Sequence, residues 1–103
     1  MIVTAIFKAK PGKEGELRDE LHAGAAASWQ EPGVRSYNVH EVIDQHGTFM
    51  NIEVYADAAA FDSHLETPHV KAFIGKLGDL LAEELTVYKG LPLFGGENSK
   101  AVL

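Results

Sequence analysis

The sequence predicts an α+β domain with a four-stranded antiparallel sheet, its elements running β-α-β-β-α-β. Three observations carry this expectation. Four short runs, Ile2 to Ala9, Val34 to Ile43, Thr48 to Tyr55 and Leu85 to Lys89, are rich in β-branched and aromatic residues. Two other stretches repeat apolar residues at three- and four-residue steps, the period of a helix with one buried face. Pro11-Gly12 and Glu31-Pro32-Gly33 punctuate the joins between the two kinds of segment. A chain of 103 residues fits one such domain.

Ile2 to Ala9 reads as the first strand, stopped by Pro11-Gly12. Lys13 to about Ser28 places Leu17, Leu21 and Ala25 on one helical stripe with charges between them. Pro32 disfavours helix in the residue before it, and Gly33 permits a tight turn, so the helix ends there. Val34 to Ile43 is the second strand, with Tyr37, Val39 and Glu41 on one face and Ser36, Asn38, His40 and Val42 on the other. The short turn Asp44 to Gly47 makes the third strand, Thr48 to Tyr55, antiparallel to the second. Its Phe49, Asn51, Glu53 and Tyr55 share one face, and Met50, Ile52 and Val54 the other. Asp57 can cap a short helix from Ala58 to about Leu65. Thr67 caps again, with Pro68 at the first helical position, and the helix it opens carries Val70, Phe73, Ile74, Leu77 and Leu81 on one stripe. Leu85 to Lys89 closes the set as the fourth strand. This order is the ferredoxin-like arrangement, with the helices on one face of the sheet. Residues 1–92 make up the domain, and 93–103 form a tail that is either loose or laid across a partner.

Both faces of the third strand carry large apolar residues, so the face that the helices leave bare needs a cover. Packing two such sheets face to face supplies it, which predicts a homodimer. Net charge is −6, and the nine Lys and Arg residues are scattered, so no basic stripe serves nucleic acid. No apolar run approaches the ~20 residues needed to span a bilayer. Met1 leads straight into a strand, so no secretory signal is expected. The absence of cysteine excludes thiolate chemistry and fits a cytoplasmic setting.

Three segments resemble the antibiotic biosynthesis monooxygenase family. They are Ser28 to Tyr37 (Ser-Trp-Gln-Glu-Pro-Gly-Val-Arg-Ser-Tyr), Phe49 to Tyr55 ending Glu-Val-Tyr, and His64-Leu65-Glu66-Thr67-Pro68-His69. The last is similar to the His-Leu-x-Thr-Pro-His stretch of the family's quinol monooxygenases. The resemblance implies a dimeric α+β barrel that oxygenates a quinol or polycyclic phenol without flavin, haem or metal. An electron-rich substrate would be deprotonated and would itself reduce molecular oxygen, while the protein holds the anion, excludes water and handles protons.

In cofactor-free members an Asn and a Trp at the spacing of Asn51 and Tyr55 line the substrate pocket. Here the Asn is kept and Tyr stands in place of Trp. By that resemblance Asn51 would hydrogen-bond a phenolate or an oxygen species, and Tyr55 would stack on its ring. Both could equally serve an interface. Glu53 lies between them on the same face and needs a partner or a raised pKa, as a general base or in an ion pair with Arg35 or a lysine across the interface. Imidazole suits proton transfer near neutral pH, which makes His64 a candidate catalytic group and His69 a candidate substrate contact. The bland alternative for His69 is bracing the Thr67-Pro68 turn. Phe61 could cap a pocket or belong to the core. His40 is a further candidate contact, with plain surface as its alternative. Trp29 should pack the end of the first helix. His64 and His69 stand five apart across a helix break, not at one-turn spacing, so no metal site is expected.

Two other branches of the family bear on the reading. The haem-degrading branch has a Trp at the position of His64 and its haem-ligating His near Ile74, and neither residue is present. A branch that isomerises a small phosphorylated sugar derivative has stretches resembling Thr67-Pro68-His69 and Lys89-Gly90-Leu91. Isomerisation of a small oxygenated metabolite is therefore an alternative, as is a non-catalytic dimeric binding or stress domain.

Overall fold

The computed structural model describes residues 1–95 and Lys100; most of the expected tail lies outside the described residues. The elements are β1 (Ile2–Lys8), α1 (Glu14–Ser28), β2 (Val34–Glu41), β3 (Thr48–Tyr55), α2 (Ala58–Glu66), α3 (Pro68–Leu80) and β4 (Thr86–Gly90). The strands form one antiparallel sheet in the order β2-β3-β1-β4. The ferredoxin-like α+β fold expected from the sequence is therefore present, with the second helical region divided into α2 and α3 at Thr67.

Register decides which side chains share a face. Ala5 pairs with Asn51 and Val87, Val3 with Glu53, and Phe7 with Phe49. On the outer strand Tyr37 pairs with Glu53 and Val39 with Asn51. These residues point toward the helices. Phe7 and Phe49 meet Leu17 and Leu21 of α1 and Leu77 and Leu80 of α3 in the main core. Leu17 and Leu80 are almost wholly removed from water, and burial of such side chains stabilises the fold by about 1.5–3 kcal/mol each. A smaller cluster of Val3, Tyr55 and Phe61 lies beneath α2. The opposite face, with Ile2, Thr4, Ile6, Met50 and Ile52, is only half-buried and carries no helix.

Several boundaries shift for local reasons. β2 stops at Glu41 because the chain turns from there, with Asp44 at φ 62° and Gly47 at φ 82°. Ala9 leaves β1 but keeps a bridge to Leu81, and that residue caps α3 instead of continuing its stripe. Ile74 is 52% exposed despite its place on the stripe. Trp29 is also exposed; its indole Nε1–H donates to the Tyr37 carbonyl at 2.8 Å, so it braces the edge strand β2. Among the described residues no helix is long and apolar enough to cross a membrane.

Candidate active site

Between the sheet and its helices lies a cavity of about 90 Å³. Val3, Ala5 and Phe7 form its apolar floor, while Asn51, Glu53 and Tyr37 bring polar groups from the same sheet face. Phe61 and His64 of α2 and His69 of α3 close the far wall. Leu65, Ile74 and Val87 also border it and are substantially exposed, which marks the mouth.

Behind the two imidazoles of this wall lies a carboxylate that both share. Glu31 Oε2 lies 2.8 Å from His64 Nδ1 and 2.9 Å from His69 Nε2. Each element is held in place by local chemistry. Glu31 sits in the turn after α1, where its N–H donates to the Ser28 carbonyl and its own carbonyl accepts from Val34. The Gly33 carbonyl accepts from Ala56 at 2.9 Å, which ties this loop to the end of β3. Gly33 also packs directly against Ala60 of α2, where a Cβ would come within 2.5 Å of the Ala60 Cβ. Asp57 caps α2 through the Ala60 N–H. The Thr67 hydroxyl donates to the His64 carbonyl at 2.7 Å and accepts from the Val70 N–H at 3.4 Å, so one side chain ends α2 and begins α3. The chain restarts at a new angle there, and His69 folds back until its ring centroid is 5.7 Å from that of His64.

The two histidines thus meet although the break between them argues against it in sequence. One-turn spacing brings two rings together only within a single helix; across the break at Thr67 the angle between α2 and α3 decides. When Nδ1 of His64 donates to Glu31, the lone pair of the ring stays on Nε2. A carboxylate behind an imidazole fixes the ring and its tautomer, an arrangement suited to general base chemistry. His64 is 5% exposed and lies among the rings of Tyr37, Tyr55 and Phe61.

Asn51 is also buried. Its Nδ2 donates to the Tyr37 hydroxyl at 3.1 Å, and its Oδ1 has no partner within the described chain. An unpaired buried acceptor costs about 1–3 kcal/mol, so this wall favours a ligand that brings a donor. Glu53 accepts from the Tyr55 hydroxyl at 2.5 Å. Burial pushes the Glu53 carboxyl above its ordinary range, against the opposing pull of the Tyr55 hydroxyl and His64. Burial, and next the Glu53 charge, hold the Tyr37 and Tyr55 hydroxyls well above the ordinary phenol range, so both stay protonated donors.

The structure gathers Asn51, Glu53, Phe61, His64 and His69 around one cavity. Tyr55 stands one layer back, fully buried, with its ring edge-on to Phe61 and its hydroxyl on Glu53. His40 pairs with Met50 on the opposite sheet face and is exposed, apart from the cavity. Glu31 and Tyr37 are site residues that the sequence reading does not single out. Their one signal is membership of the Ser28 to Tyr37 segment.

Residues 1–76 match the family described as antibiotic biosynthesis monooxygenase. The chain belongs to this family. Among relatives, the uncharacterized protein sll1783 of Synechocystis is 34% identical over 91 residues, covering 86% of this chain and 62% of that protein. The chain thus spans less than two thirds of that relative. YcnE of Bacillus subtilis, which carries the name "Putative monooxygenase", is 32% identical over 89 residues, covering 86% of this chain and 94% of its own length. The solved structure of Rv0793 from Mycobacterium tuberculosis superposes with a TM-score of 0.87 at 30% identity, covering 93% of this chain and 97% of that one. The antibiotic biosynthesis monooxygenase match ends within α3, so it takes in Glu31, Tyr37, Asn51, Glu53, Tyr55, Phe61, His64 and His69.

Proposed function

We propose that this chain is a cofactor-independent monooxygenase of a phenol or quinol with a single ring, working as a homodimer. The observation that carries the reading is the pairing of a carboxylate-oriented His64 with the unpaired Asn51 Oδ1 on the walls of one apolar cavity. A substrate hydroxyl can pass its proton to His64 Nε2, while the second hydroxyl of a quinol donates to Asn51 Oδ1. The resulting anion is electron-rich enough to reduce oxygen. One oxygen atom enters the ring and the other leaves as water, so a quinol and O2 give a hydroxyquinone and water, with the substrate supplying all the electrons. Glu53, Phe61 and His69 border the ring, and Tyr55 holds Glu53.

Cavity size narrows the substrate within the class that the family resemblance suggests. An apolar cavity that accepts benzene is about 150 Å³, and this one is about 90 Å³. One ring can enter if the exposed side chains at the mouth give way, whereas a fused polycycle demands far more. The half-buried apolar sheet face supports the homodimer.

The test is oxygen uptake by flavin-free protein with single-ring and polycyclic quinols. Uptake with the former, lost in Asn51→Ala and His64→Ala and reduced in Glu31→Gln, supports the reading. Uptake no faster than autoxidation across the panel sinks it, as does proton exchange into substrate without oxygen consumption. A sedimentation mass of one chain at micromolar protein contradicts the homodimer.

A further inference from the structure

We propose that Glu31, His64 and His69 form a binding site for one first-row divalent transition ion of the Zn2+ class. The inference goes beyond the oxygenase reading and needs no substrate. Its basis is geometric. One carboxylate oxygen and two imidazole nitrogens lie within 4.8 Å of one another. They come from three separately anchored pieces of chain: the turn after α1, the end of α2 and the first turn of α3. In a tetrahedral site with bonds of about 2.0–2.1 Å, ligand atoms stand roughly 3.3 Å apart. The Glu31 oxygen is 2.8 Å from one nitrogen and 2.9 Å from the other. Opening these two contacts by about half an ångström brings them to that spacing.

Donor type selects the ion. Two imidazoles and one carboxylate suit Zn2+, Fe2+, Co2+ or Ni2+, whereas Mg2+ and Ca2+ require mostly oxygen. With both rings neutral the cluster carries one negative charge, and the carboxylate's partners among the described residues are the two rings. A cation therefore gains a partly buried counter-charge. His69 and Glu31 keep partial exposure at 27% and 16%, which gives the ion a way in, while His64 is held almost wholly inside. Three protein ligands leave a coordination position open.

The ion has a consequence that a hydrogen-bonded cluster lacks. Coordination through His64 Nδ1 removes the proton from that nitrogen, and a neutral ring must then carry it on Nε2. The tautomer reverses.

The experiment is calorimetric titration of Zn2+ into the metal-stripped full chain, with 15N-detected NMR of the histidine rings. The expected result is one ion per chain and a His64 proton that moves from Nδ1 to Nε2. Competition by millimolar Mg2+ should be absent. Glu31→Gln and His69→Gln, both at partly exposed positions, should each weaken binding by more than the roughly tenfold lost with an outer-shell partner. His22→Gln and His46→Gln should leave it unchanged. No binding, or binding that survives both Glu31→Gln and His69→Gln in chains with native circular dichroism, overturns the proposal. Since no substrate is present, a failure here is separate from a failure of the oxygen-uptake test.

Discussion

Thr67→Ala tests whether one hydroxyl organises the site. The hydroxyl donates to the His64 carbonyl at 2.7 Å, a good neutral hydrogen bond, which contributes about 1 kcal/mol net. It also accepts from the Val70 N–H at 3.4 Å, near the outer limit of such contacts, so its capping contribution falls at the low end, about 0.5 kcal/mol. The His64 carbonyl keeps the Thr67 N–H at 3.2 Å and is not orphaned by the change, so no further desolvation term enters. The sum is about 1.5 kcal/mol, and at ~4–8 °C per kcal/mol for a domain near this size Tm should fall by roughly 6–12 °C. Thermal unfolding followed by circular dichroism measures it. Thr67→Ser keeps the hydroxyl and should stay within about 0.5 kcal/mol of the parent chain. Thr67→Val keeps the shape without the hydroxyl and should behave like Thr67→Ala. If the Ala and Ser variants melt together, the hydroxyl is not what joins the two helices.

Glu53→Gln should change how stability depends on pH. Burial raises the folded-state pKa of Glu53 above its ordinary 4.5, so the stability linked to this group is present below that value and is lost as pH rises through the folded pKa. Against the parent chain, Glu53→Gln should therefore gain stability as pH rises above about 4.5 in urea titrations, and a gap that stays constant with pH would contradict the assignment. Tyr55→Phe removes the donor from a buried carboxylate and should cost about 1–3 kcal/mol in the same assay, with less loss in a Glu53→Gln background. Gly33→Ala places a methyl against Ala60, which should cost about 1–3 kcal/mol and push α2 from the Glu31 loop; unchanged ring shifts for His64 would count against that coupling.

Element order is legible because each element repeats its own signal. Leu17, Leu21 and Ala25 are buried as their four-residue steps require, and Asn51, Glu53 and Tyr55 share a buried face as strand alternation requires. The site is less legible because its contacts are long-range. Glu31 meets partners 33 and 38 residues away, and in sequence it sits beside a Pro-Gly turn whose evident task is to end a helix. The meeting of His64 with His69 depends on the angle at which α3 restarts, which no periodicity records. His40 is the opposite case. Imidazole chemistry makes it a candidate, but strand alternation already places it with Asn38, away from Asn51.

Thr67 also sets a phase. Each residue advances a helix by about 100°, so one residue added or removed between His64 and His69 would swing the second imidazole to another side of α3. Substitutions at Leu65 and Glu66, both exposed, leave that angle alone. The segment therefore acts as a counted spacer: Leu65 and Glu66 can drift, but its length cannot change without separating the two rings that Glu31 joins.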